Sequence, residues 1–289
     1  RRRHTRCSRD WSSDVCSSDL RPMIESLHSP HIARVKALIG SKGARERHEQ
    51  GLFVAEGRLV IQRAVTAGLK PRMILTNTKF ESELRSLVPD AHFCVLSDEE
   101  IELITGYHVH RGALAAFDRP QPLSLDDLPS EHGIVLVLDG LVDHENVGTL
   151  IRSAAGLGID AVVLSHECAD PLYRRSVKTS MGAVFSLPWI RAGRSRELFL
   201  ALRDRGFAQW VFTPGGEVQL AVSNSRPQAL AIWVGNEANG VDRGLLDRFE
   251  RRLSIPMKRD TDSLNVAAAG AIAMWAVQNM RVEGEGKTL

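Results

Sequence analysis

Three short stretches of the 289-residue chain carry residues that could do chemistry. In the first, residues 139–155 (DGLVDHENVGTLIRSAA), Asn146, Gly148 and Arg152 open an amphipathic helix just after the apolar run 134–138. In the second, residues 233–241 (WVGNEANGV), Glu237 stands between Gly235 and Gly240. In the third, residues 254–266 (SIPMKRDTDSLNV), Ile255 and Pro256 lead through a charged loop to Ser263, Leu264 and Asn265 at the start of a nearly all-apolar helix. A guanidinium can hold phosphate or stabilise developing negative charge, and a carboxylate can fix a nearby arginine or amide by a charge-assisted hydrogen bond. Glycines at a strand end let backbone approach a ligand closely, or simply make a turn.

Each residue also has a plainer use. Val147, Leu150, Ile151 and Ala154 recur at helical spacing and form a buried stripe, with Gly148, Thr149 and Arg152 facing elsewhere. Asn146 occupies the expected N-cap, so the stretch equally suits a capped helix with one solvated arginine. Glu237 suits a solvated loop carboxylate, and Asp262 or Ser263 an ordinary helix cap.

The elements around these stretches give them a common place. Strands fit residues 134–138, 161–165, 209–213, 231–235 and 252–255, with helices between most of them. That pattern predicts a mostly parallel sheet with helices on both faces, a class that places ligands at the carboxyl ends of its strands. All three stretches fall at such ends. Upstream, helices are expected over 31–38, 59–67 and 98–104 and strands over 52–56, 73–76, 92–96 and 112–117, which makes a small α/β domain. The boundary between the two is a stretch with three prolines, DRPQPLSLDDLPSEHG. The expected division is therefore residues 23–118, a linker at 119–132, and a second domain at 133–289. Residues 1–22 lack periodicity and a signal-peptide core, resemble translated adapter sequence and are expected to be a non-native leader, with Met23 a natural start.

Composition excludes several classes. With 43% hydrophobic and 25% charged residues the chain is an ordinary globular sequence, and its net charge of +2 marks no overall basic protein. Charge is uneven, however: residues 34–72 hold nine Lys and Arg against three Glu, whereas 79–102 hold two against seven acids. The basic segment could bind phosphates or form a solvated helix face. Cys7, Cys16, Cys94 and Cys168 form no CxxC pair, so free thiols in a reducing cytoplasm are expected. No apolar run approaches the ~20 residues of a membrane span. Gly156, Gly158 and Ala161 match GxGxxA but precede a strand, so they read as a helix stop rather than a dinucleotide loop. Gly286, Lys287 and Thr288 imitate the end of a phosphate loop at a tail, and His108 and His110 have no partner ligands for a metal.

Taken in order, the three stretches resemble the SpoU (TrmH-type) family of SPOUT-class RNA ribose 2′-O-methyltransferases. The family's first motif is matched by Asn146, Gly148 and Arg152, its GxExxG motif by Gly235, Glu237 and Gly240, and its third by Ile255, Pro256 and residues 263–266. FVAEG at 53–57 is similar to the start of the family's RNA-binding accessory domain, and residues 170–188 to the segment between its second and third strands. The resemblance implies an α/β fold ending in a deep trefoil knot, S-adenosyl-L-methionine (AdoMet) as cofactor, rRNA or tRNA as partner, a cytoplasmic homodimer, and neither metal nor membrane. It implies a catalytic set of Arg152, Asn146, Glu237, Ser263 and Asn265, and a cofactor pocket of Gly235, Ile255 and Leu264, with Thr213 beside them. A non-catalytic RNA-binding or ribosome-assembly factor with the same fold is the alternative.

Overall fold

A computed structural model describes residues 30–40, 44–109, 112–129, 132–222, 224–259 and 261–283. The expected leader, His110 and the Gly286 to Thr288 tail lie outside the described residues.

The first unit contains α1 (Pro30–Ile39), α2 (Ala44–Glu49), β1 (Leu52–Glu56), α3 (Arg58–Thr66), β2 (Pro71–Thr76), α4 (Thr78–Leu87), β3 (Phe93–Val95), α5 (Asp98–Thr105) and β4 (Ala113–Asp118). Its four strands are ordered β1-β4-β2-β3, antiparallel except for β2 with β3. The start of α5 is fixed by a capping box between Ser97 and Glu100, and its end by Gly106 in the left-handed conformation. The periodicity misses α4, which buries Leu84 alone and so shows little apolar stripe.

The second unit contains β5 (Gly133–Asp139), α6 (His144–Gly156), β6 (Ala161–Leu164), α7 (Arg174–Thr179), β7 (Trp189–Arg191), α8 (Ser195–Asp204), β8 (Ala208–Phe212), β9 (Val218–Gln219), β10 (Ser225–Arg226), β11 (Ala229–Gly235), β12 (Arg251–Ser254), α9 (Val266–Gln278) and β13 (Arg281–Val282). Its seven-stranded sheet runs β7-β6-β5-β11-β8-β12-β9, parallel at every pairing. Strands covered on both faces read as continuous apolar runs. Along β5, Ile134, Leu136 and Leu138 join α6 and α9 on one face, while Val135 and Val137 join α8, Trp233 and Phe249 on the other. The short strands β7, β9, β10 and β13, two or three residues each, are too brief to leave a pattern.

Two local expectations need correction. The N-cap of α6 is Asp143, whose side chain accepts from Glu145 N, so the helix starts before Asn146 and leaves that amide free to face another element. Nor does Gly148 face away from packing. It is buried against α7, where an added Cβ would lie 2.0 Å from Thr179 Oγ1 and 2.4 Å from the Ser176 carbonyl.

The two sheets share one apolar cluster, in which Phe53 of β1 stacks on Phe117 and meets Phe185 of the second unit at 5.5 Å between rings. Polar contacts reinforce this junction. Glu56, buried at the end of β1, accepts from Lys178 Nζ at 2.6 Å, and Arg119 donates two bonds to Asp170 at 2.5 and 3.0 Å.

Candidate active site

The parallel order sets the carboxyl ends of β5, β11, β8 and β12 side by side, and a cavity of about 580 Å³ opens there. Its apolar wall includes Phe212, Val234, Leu253, Ile255 and Leu264, and its rim carries Thr213, Gly235, Glu237, Asp262, Ser263 and Asn265. Seven of the nine expected site residues therefore line one cavity: Thr213 at the end of β8, two from the second stretch and four from the third.

Close backbone packing shapes the floor. A Cβ at Gly235 would come 2.2 Å from Gly240 C and Val241 N, so only glycine lets the returning 236–240 turn close on the end of β11. That turn has Asn236 and Gly240 paired through both backbone bonds, with Gly240 at φ 70°. The Asn236 side chain holds it from inside: Oδ1 accepts from Ala238 N and Asn239 N, and Nδ2 donates to the Gly140 carbonyl at 2.9 Å. Asp139, buried at the end of β5, accepts from Ser195 Oγ at 2.6 Å and from Asp242 N at 3.2 Å. Sequence reasoning assigned neither residue a role. Asn236 follows the expected strand 231–235 and Asp139 the expected strand 134–138, and the sole signal is their position at two strand ends that are neighbours in the sheet.

Asn146 reaches the cavity from outside its lining. Its Nδ2 donates to Glu237 Oε1, and its Oδ1 accepts from Asn265 Nδ2 at 3.0 Å. Asn265, rather than Asp262 or Ser263, caps α9, its Oδ1 accepting from Ala267 N at 2.9 Å and Ala268 N at 3.3 Å. The amide orientations are thus determined from both ends. Helix N–H groups only donate, which turns Asn265 Oδ1 towards them and its Nδ2 towards Asn146; a carboxylate only accepts, which turns Asn146 Nδ2 towards Glu237. A polarised relay runs from the positive end of α9 to the Glu237 carboxylate.

Arg152 is not brought to the cavity in this single chain. Six residues beyond Asn146, it points about 120° away from it around α6. It is exposed on the flank of Glu145, whose carboxylate is 3.5 Å from Arg175 Nε. Among the described residues Arg152 has no hydrogen-bond or ion-pair partner. No group of three or more His, Cys, Asp or Glu suited to a metal occurs among the described residues, and no described helix is long and apolar enough to cross a membrane.

Comparison with known proteins gives this arrangement its context. Residues 133–275 match the SpoU rRNA Methylase family, and residues 30–115 match the MRM3-like substrate binding domain. A tRNA/rRNA methyltransferase of Mycobacterium tuberculosis, described as uncharacterized, is 37% identical over 234 residues, which span 78% of this chain and 80% of that relative. The chain belongs to the SpoU rRNA methylase family. The 23S rRNA (guanosine(2553)-2′-O)-methyltransferase of Bacillus subtilis is a more distant relative, 27% identical over 80% of this chain and 90% of its own length. Among solved structures, an AdoMet-bound rRNA methyltransferase from Sinorhizobium meliloti has a similar fold, with a TM-score of 0.76 at 23% identity over 87% of this chain and 95% of that one.

Proposed function

We propose that the chain transfers a methyl group from AdoMet to a ribose 2′-hydroxyl of structured RNA, rRNA or tRNA. The observation that carries this reading is the convergence on one cavity of the glycine-closed turn, the apolar wall and the Asn265–Asn146–Glu237 relay. A cavity of about 580 Å³ lies within the range of small-molecule cofactor sites. Its mix of apolar surface, tight backbone and few charges suits a ligand with a flat apolar base and a polar tail. Thr213, Gly235, Ile255 and Leu264 would hold AdoMet there, and when bound it supplies an electrophilic sulfonium methyl.

A ribose hydroxyl is a weak nucleophile, so the protein has to orient it and stabilise the alkoxide that develops. Asn146, locked by Glu237 and Asn265, presents a fixed amide for that purpose, and Ser263 completes the polar rim. Arg152 acts on the acceptor as a fixed positive charge, because a guanidinium keeps its proton and is not a practical base. Its place outside the cavity is accounted for by a homodimer with the site near the subunit interface. Leu264, Ala268, Ile272 and Trp275 form an exposed, mainly apolar stripe down the start and length of α9, which a second copy would cover.

The units at 23–118 and 133–289, joined by 119–132, serve as RNA-binding and methyltransferase domains. The trefoil knot expected of the family belongs to the second, where the parallel order β11-β8-β12 is compatible with it. RNA as acceptor, together with the free buried thiols Cys94 and Cys168, supports a cytoplasmic enzyme.

The deciding experiment incubates the full chain with labelled AdoMet and unmodified rRNA and tRNA, then maps the modified nucleotide. Label on a ribose 2′-oxygen is expected, and equal labelling of the corresponding DNA would overturn the reading. A chain that binds RNA without binding AdoMet by calorimetry would instead be the non-catalytic assembly factor.

A further inference from the structure

A second cavity, of about 450 Å³, lies between the two units and belongs to none of the three motifs. Arg45, Arg47 and His48 approach it from α2, Arg119 from the linker, and Tyr173, Arg174 and Arg175 from the start of α7, against the carboxylate of Asp170. Two of these arginines are fixed parts of the wall. Arg119 is bonded twice to Asp170, while Arg174 donates to the Tyr107 hydroxyl at 2.8 Å and lies over its ring at 4.3 Å. Two others end in solvent. The Arg45 side chain is 88% exposed and pairs with Glu49, and that of Arg175 is 63% exposed and pairs with Glu145. Exposed pairs of this kind hold weakly, so both guanidinium groups can turn to a stronger anion.

At the same cavity Tyr173 is exposed and its ring lies 4.0 Å from that of His144, centroid to centroid. His144 is the first residue of α6, and Asn146 of the relay follows two positions later, about 5.4 Å away between Cα atoms by helix geometry. The two side chains leave the helix about 160° apart, however, so the groove meets α6 on the flank of Glu145, where Arg175 pairs and Arg152 stands, rather than opening into the reaction cavity. Cationic side chains tracking a backbone beside an aromatic face are the elements of single-stranded nucleic-acid binding.

We propose that this groove is a subsite for a single-stranded nucleotide of the RNA flanking the acceptor, its phosphate held by Arg45 and Arg175 and its base stacked on Tyr173. The proposal rests on the RNA methyltransferase reading and adds where the neighbouring nucleotide sits. It also gives the junction between the units a role: α2 and α7 both line the groove, and the Glu56–Lys178 pair ties β1, the strand that follows α2, to α7.

The test uses the full chain with AdoMet and an RNA it methylates, comparing Tyr173→Leu, Tyr173→Phe and Arg175→Ala with the unaltered protein. Loss of one stacked base is expected to raise KM for RNA about tenfold in Tyr173→Leu, with kcat at saturating RNA and AdoMet affinity unchanged. Tyr173→Phe is expected to restore KM. For Arg175→Ala the salt dependence of RNA binding is expected to be shallower by about one phosphate contact. Unchanged KM in Tyr173→Leu together with an unchanged salt slope in Arg175→Ala would overturn the subsite. Failure of the unaltered chain to bind AdoMet or transfer methyl would overturn the methyltransferase reading instead, while direct binding of a labelled single strand still tests the groove.

Discussion

Asn265 joins Asn146 across 119 positions of sequence by a hydrogen bond of 3.0 Å while capping α9 with its other amide atom. One side chain thus connects the stability of a helix to the orientation of the Asn146 amide, and two substitutions separate these effects. Asn265→Ala removes both, with an expected loss of about 1 kcal/mol of stability from the cap. Asn265→Asp still caps but has no N–H for Asn146 Oδ1, so its melting temperature is expected to stay near that of the unaltered chain while methyl transfer falls about tenfold or more. Full kcat in Asn265→Asp, measured with labelled AdoMet, would sink the relay.

Glu237 offers the complementary experiment at the other end of the relay. Glu237→Ala leaves Asn146 Nδ2 without its charged acceptor, and kcat is expected to fall by about ten- to a hundredfold. Glu237 is exposed in a turn, so the fold is expected to persist, with far-UV circular dichroism and melting unchanged. A drop in activity matched by a drop in melting temperature would point to the turn rather than the relay.

Gly235→Ala tests the cavity floor. The added methyl would meet Gly240 C and Val241 N at 2.2 Å, and backbone on the far side of a closed turn has little room to yield. The turn is expected to move off β11, weakening AdoMet binding by an order of magnitude or more in calorimetry. The same change at Gly156, where a Cβ meets nothing within 4 Å, is the control and is expected to leave affinity intact.

The parallel sheet was legible because buried strands read as apolar runs of four to seven residues, and β5 and β11 fell where those runs lie. The three strand-end stretches were legible for the same reason. What stayed hidden depended on strand neighbours that a linear pattern does not carry. Asp139 matters because Gly235 pairs beside it in the sheet, and Asn236 because Gly140 lies within reach of its amide. The N-cap of α6 was misplaced because Asp143 and Asn146 are both good caps, and the choice was settled by Asn146 having partners on two other elements. Gly148 lies off the apolar stripe of α6, and the linear pattern does not show that α7 packs against it.

His144 gives the junction a pH dependence. Burial holds its imidazole below the ordinary value of 6.5, with Arg175 adding to that and Asp170 and Asp143 opposing it. The unfolded chain therefore binds this proton more readily, so the stabilising contribution is present above pH ~6.5 and declines as pH falls towards the lowered folded value. Melting temperature is expected to fall between pH 8 and pH 5.5, and to fall less in His144→Gln. Parallel melting curves for the two proteins over that range would remove His144 from the account.

Catalysis and assembly are expected to meet at Arg152 and Trp275. Arg152→Ala is expected to keep AdoMet affinity while lowering methyl transfer about a hundredfold or more, as for a contact made to developing charge. Near-normal turnover would count against the residue. In a single chain Arg152 stands outside the cavity and Trp275 is 53% exposed on a helix that packs beside α6, so the active species is expected to be a dimer that covers α9. Trp275→Glu places a charge in that interface and is expected to run as a monomer by light scattering, with AdoMet still bound and transfer largely lost. A fully active monomer would show that the α9 stripe is not needed, and that Arg152 reaches the acceptor within its own chain once RNA is in place.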